Sequence, residues 1–144
     1  MSVPAHRRVP FALLRVIASF VIMQHGAQKL FGLLGGFGPR GGTVHFPSLM
    51  ALAGVIEFGV AFFVLVGLFT RPAAFIVSGE MACAYFIAHA PHGFWPVRNH
   101  GELPVMLCFT FLLFAAYGAG TFSLDALLRR AGRDGSAEEA IRAA

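Results

Sequence analysis

The feature that most constrains this chain is its four apolar blocks, at residues 11–34, 49–69, 72–90 and 103–119. An α-helix rises about 1.5 Å per residue, so about 20 apolar residues cross the roughly 30 Å hydrocarbon core of a bilayer. Each block is close to that length, and the connections between them are short, which forces consecutive helices antiparallel. The expected fold class is therefore all-α: a single domain over residues 1–144 forming an integral membrane four-helix bundle, up-down-up-down. Residues 120–144 carry Asp125, four arginines and two glutamates around leucines, and read as a cytoplasmic tail with a C-terminal amphipathic interfacial segment.

Composition points to the same solvent. Hydrophobic residues make up 57% of the chain and charged residues 12%, against about a quarter charged in soluble domains; mean hydropathy is +0.72. The net charge of +4 is spread thinly, with no basic run interleaved with exposed aromatics, so nucleic acid is not an expected partner. Cys83 and Cys108 form no CxxC and no zinc spacing. At similar depth in their helices they could touch, but thiols in apolar surroundings are usually inert. The start, His6-Arg7-Arg8 before an apolar run, imitates a signal peptide yet lacks a small-x-small cleavage site, and is read as an uncleaved first helix. Arg7, Arg8, Arg71, Arg129, Arg130, Arg133 and Arg142 fall on one side of the blocks and Arg40 and Arg98 on the other. The positive-inside rule then makes both termini cytoplasmic, with Trp95 at the outer interface.

Ionisable groups inside these blocks are the candidate functional residues, because a charge at mid-bilayer costs about 2.5–3.5 kcal/mol on insertion scales and marks function by default. Counted from the outer ends, His25, Glu57 and Glu80 lie about 14, 12 and 15 Å deep and Lys29 about 8 Å. They share one layer, and are the candidate catalytic set. His25, Gln28, Lys29 and Gly32 recur at helical spacing, so one polar stripe of the first helix is expected to face the two carboxylates. The alternative is that these groups only hold helices together. Arg15 is expected to snorkel to the headgroups as a structural residue. His89, His92, His100 and Glu102 crowd the outer mouth, but Pro91 interrupts the first pair and the spacing matches no metal motif; a protonatable polar lid is expected there, and no metal. The Gly-rich first loop lacks the GK[ST] of a phosphate loop.

The segment His25 to Gly32 (HGAQKLFG), Glu57 within its helix, Thr70-Arg71-Pro72, Asn99 to Glu102 (NHGE) and Ser123 to Asp125 (SLD), in this order, resemble the DoxX family of small bacterial membrane proteins. Where the family has Asn-Gly-Gly-Glu, this chain has a histidine at position 100. The resemblance implies a four-helix membrane bundle in the bacterial plasma (inner) membrane, a quinone-linked or thiol and oxidative-stress redox setting, and functional positions at His25, Gln28, Lys29, Glu57, Asn99 and Glu102. Of these, Gln28, Asn99 and Glu102 are the expected cofactor-binding residues.

The leading functional expectation is a subunit of a quinone-linked oxidoreductase, with quinone in an apolar slot and the cluster exchanging protons with it. The chain carries no haem, flavin or iron–sulfur motif, so electrons would come from a partner protein. The alternative is a non-enzymatic membrane anchor or assembly subunit contacting partner protein and membrane lipid. A proton-coupled small-solute carrier ranks third. Self-association as a homo-oligomer is left open.

Overall fold

The computed structural model describes residues 5–132. Residues 133–144 of the expected tail, Arg133 and Arg142 among them, lie outside the described residues. Among the described residues the chain is helical throughout, apart from loops and one isolated bridge between Phe37 and Gly42. Four helices carry the fold: α1 (Arg8–Phe31), α2 (Leu49–Val66), α3 (Thr70–His92) and α4 (Glu102–Tyr117). The first three are long and apolar enough to cross a membrane, while α4, with 16 residues, is apolar but shorter. Residues 124–132 form a further short helix.

The helix ends differ from the apolar blocks by a few residues, for local reasons. Gly32 and Gly67 adopt left-handed backbone (φ 66° and 75°) and stop α1 and α2 before their apolar runs are spent. Helix α3 begins at Thr70 rather than Pro72, because the proline is tolerated within the first turn, where its missing N–H is not needed.

Packing follows chain order: α1 lies on α2, α2 on α3, and α3 along most of α4. Ile22, Val64, Val77, Phe111 and Phe114 are fully buried at the centre, and Phe11 meets Phe114 edge-on at 5.4 Å. Outward, Phe20, Phe75, Phe86 and Phe109 are each more than half exposed, an arrangement suited to lipid and not to water.

Three side chains tie the helix ends together on the side of the termini. Arg15 is 2% exposed. It donates to the carbonyls of Val64 (2.5 Å), Leu65 (2.6 Å) and Phe122 (2.7 Å), which satisfies carbonyls left over at the end of α2. The expectation that Arg15 snorkels outward is thus corrected: carbonyls at the end of α2 and at Phe122 hold the guanidinium inside the fold. Asp125 accepts from the backbone N–H groups of Phe69 (3.1 Å) and Thr70 (3.3 Å), capping α3. Arg71 donates to the carbonyls of Ala115 (3.2 Å) and Ala116 (2.5 Å) near the end of α4. These contacts join starts to ends, so α1 and α2, and likewise α3 and α4, run antiparallel. Ser123 caps the last helix by accepting from Ala126 N–H at 3.2 Å.

Candidate functional site

The close approach of α1 and α2 creates the site. A Cβ on Gly26 would lie 2.6 Å from the Phe58 nitrogen and 2.9 Å from the Gly54 carbonyl oxygen, and one on Gly54 would lie 3.1 Å from the Lys29 Cβ. Two glycines facing each other let the backbones come this near, as small residues do between membrane helices. Lys29, one turn on from His25, thereby reaches Glu57. Substituting Gly26 by valine is expected to part the helices at this crossing and destabilise the protein by about 1–3 kcal/mol, the usual cost of overpacking. Thermal unfolding in detergent measures it; an unchanged midpoint would contradict the crossing.

Lys29 Nζ donates to Glu57 Oε1 at 2.5 Å and Oε2 at 2.6 Å. The lysine side chain is 13% exposed and the glutamate 3%. Glu57 lies in a wide π-helical turn, Ile56–Val60, that interrupts the regular winding of α2; such turns are frequent at functional sites because they re-aim a side chain. A second π turn, Tyr85–His89, lies near the C-terminal end of α3. The ammonium also sits 5.8 Å from the centre of the Phe37 ring, contributed by the loop after α1.

The pair borders a cleft of about 620 Å³ between α1, α2, α3 and the start of α4, within the size range of small-molecule sites. His25, Lys29, Glu57 and Glu80 all line it, against walls that include Ile22, Ile56, Met81 and Leu107. Leu49, Leu52, Ile76 and Ile87 line it too and are exposed, so the cleft has an apolar lip open to the outside of the fold. Glu80 Oε2 is shut off from solvent with no hydrogen-bond partner among the described residues. His89 and His100 also line the cleft.

The other sequence-derived candidates lie elsewhere. Gln28 turns away and donates to the Leu34 carbonyl at 3.2 Å. The polar stripe on α1 therefore divides: His25 and Lys29 face the cleft, Gln28 ties the following loop, and Gly32 ends the helix. Asn99 is buried, but its amide donates to the Gly93 carbonyl (2.5 Å) and its oxygen accepts from Gly101 N–H (2.8 Å). It organises the loop before α4. Glu102 is the exposed first residue of α4, where its charge complements the helix dipole. His100 holds the left-handed conformation (φ 58°) that glycine would adopt more easily, a strain on the order of 1 kcal/mol. The turn geometry of the NHGE segment survives the histidine at that price. His89 and His92 take different partners: His89 Nδ1 lies 3.0 Å from the Asn99 carbonyl and His92 Nδ1 3.2 Å from that of Ala88. Both cysteines are free, and Cys108 lies 3.6 Å from the Ser78 hydroxyl.

Sequence reading missed the roles of Gly26 and Gly54, and the π turn at Glu57. The spacing of two glycines on neighbouring helices was the available signal for the first; the second has none in the local sequence.

Residues 11–90, which hold His25, Lys29, Glu57 and Glu80, match the model of the DoxX family. The chain belongs to the DoxX family. A DoxX relative, an uncharacterised protein of Haemophilus influenzae, is 41% identical over 117 residues, covering 79% of this chain and 87% of its own length. No solved structure matches the chain. The DoxX match thus covers α1 to α3 and the ion pair, while Asn99, Glu102 and the SLD segment lie beyond it.

Proposed function

We propose that this DoxX protein is a small subunit of the bacterial inner membrane that holds a lipid-soluble quinone in the cleft. In this reading all four helices span the bilayer as an up-down-up-down bundle, with both termini cytoplasmic as the arginine bias requires. The observation that carries it is one apolar cleft, open at an apolar lip, with a buried Lys29–Glu57 pair and the unpartnered Glu80 carboxyl on its walls. Few convergent polar groups in an apolar slot suit a ring with carbonyl oxygens. Lys29 has three N–H donors and Glu57 engages two, which leaves one for a carbonyl. Glu80 is the proton-exchanging group, since reduction of a quinone to a quinol takes up two protons along with two electrons. The lip gives the isoprenoid tail a way into lipid. The electrons come from a partner protein, because the chain carries no haem, flavin or iron–sulfur motif.

The test is calorimetric titration of the purified protein in nanodiscs with a short-chain quinone. Saturable binding is expected, weakened about tenfold by Glu80→Leu, the loss of one hydrogen bond to an ionisable group, and unaffected by Gln28→Ala. Absence of saturable binding, or equal weakening by both variants, would overturn the quinone reading in favour of a non-enzymatic anchoring subunit held together by its ion pair.

A further inference from the structure

At the opposite end of the fold from the cleft mouth, a second pocket of about 450 Å³ lies between the start of α1 and the segment that follows α4. Its walls include Arg8 from α1 and Arg130 from the helix at 124–132, with Thr121, Phe122 and Leu127 between them. We infer that this pocket binds the phosphodiester headgroup of an anionic phospholipid, with Arg8 and Arg130 on the phosphate and Phe122 and Leu127 against the acyl chain.

Two features make the pocket attract an anion. Two guanidinium groups border one space, where their mutual repulsion becomes a pair of attractions once a phosphate oxygen lies between them. Helix α1 begins there with no acidic residue in its first turn and no side-chain hydrogen bond at its cap position. Charge alone would suit any anion; the apolar walls select among them. Phe122 and Leu127 are each more than half exposed beside these cations, a surface that a free phosphate would leave wet and that an acyl chain would cover. The location agrees, since Arg8 opens a membrane-length helix and so stands at headgroup level, where basic pockets between membrane helices bind acidic lipid.

Tertiary contacts tie the segment that carries Arg130. The carbonyl of Phe122 is fixed by Arg15, Ser123 caps the helix that carries Arg130, and the Asp125 N–H donates to the Gly67 carbonyl at 2.9 Å. Arg130 is therefore presented by a tied segment, although it lies at the far end of the chain from Arg8. Nothing in this pocket depends on what occupies the cleft, so the two sites can be tested separately.

The experiment uses the full chain in a zwitterionic detergent, with bound lipid counted by native mass spectrometry and stability followed by thermal unfolding. Phosphatidylglycerol is expected to bind one to one and raise the unfolding midpoint. The double variant Arg8→Gln with Arg130→Gln should bind it on the order of thirtyfold more weakly, from about 1 kcal/mol for each basic residue near a lipid surface. Arg129→Gln, on the same helix but outside the pocket, should bind like the wild type. Equal retention of phosphatidylcholine, or an equal loss in Arg129→Gln, would overturn the site in favour of diffuse adsorption. An equal rise in midpoint with inorganic phosphate alone would assign the pocket to a free anion and overturn the lipid.

Discussion

Glu57→Leu is expected to lower stability in detergent by about 3–5 kcal/mol, the cost of leaving one member of a buried ion pair alone. Lys29 would then stand 13% exposed with no carboxylate on it, between apolar walls and the ring of Phe37. Combining Glu57→Leu with Lys29→Leu should recover most of the loss, because two apolar side chains of similar volume remove both the attraction and the desolvation that it offsets. A double-mutant cycle on unfolding midpoints measures the coupling. Additive effects would show that the pair contributes nothing to the fold. Recovery of stability without recovery of quinone binding would separate the two roles of Lys29: holding α1 against α2, and offering its third N–H to a ligand.

Arg15→Leu carries a comparable effect through a different mechanism. The guanidinium serves three carbonyls at once; that of Val64 keeps the Gly67 N–H at 3.1 Å, while those of Leu65 and Phe122 would lose their donor, at about 1–3 kcal/mol each. Partial relief comes from no longer burying a charge, so a net loss of roughly 2–4 kcal/mol is expected. Arg15→Lys should restore only a part, since an ammonium lacks the flat fork that spans the end of α2 and the Phe122 carbonyl together. Denaturant titration of the three proteins in one detergent checks the order wild type, lysine, leucine. Equal stability of the leucine variant and the wild type would mean that Arg15 faces the headgroups after all.

Both predictions rest on residues that were conspicuous in the sequence, but for reasons of unequal depth. The layer formed by His25, Lys29, Glu57 and Glu80 follows from helix rise alone, and the structure gathers these four on one cleft. Gln28, Asn99 and Glu102 came from a motif resemblance, and their side chains serve a loop, a turn and a helix start. A motif records that a position matters without recording whether it faces a ligand or the backbone beside it. Asn99 shows the difference: its two short hydrogen bonds shape the turn that leads into α4, which a sequence pattern cannot distinguish from ligand binding. Asp125, part of the SLD segment, likewise serves as a cap across a chain reversal, since the N–H groups it accepts from belong to residues 69 and 70.

What the sequence by itself determined is what depends on neighbours along the chain. Apolar run length set the helical class and the membrane as solvent, glycine set where α1 and α2 stop, and the order of motifs set the family. The tertiary structure decided what depends on how one helix is rotated and how closely it approaches the next. The facing of Gly26 and Gly54 brings Lys29 onto Glu57, the π turn aims Glu57 at the cleft, and carbonyls at the end of α2 draw Arg15 inward. Arg8 and Arg130, from opposite ends of the chain, meet at one pocket for the same reason. Hydropathy fixes how deep a residue lies along its helix axis, but the angle around that axis is set by contacts between helices, and those contacts choose each buried charge its partner.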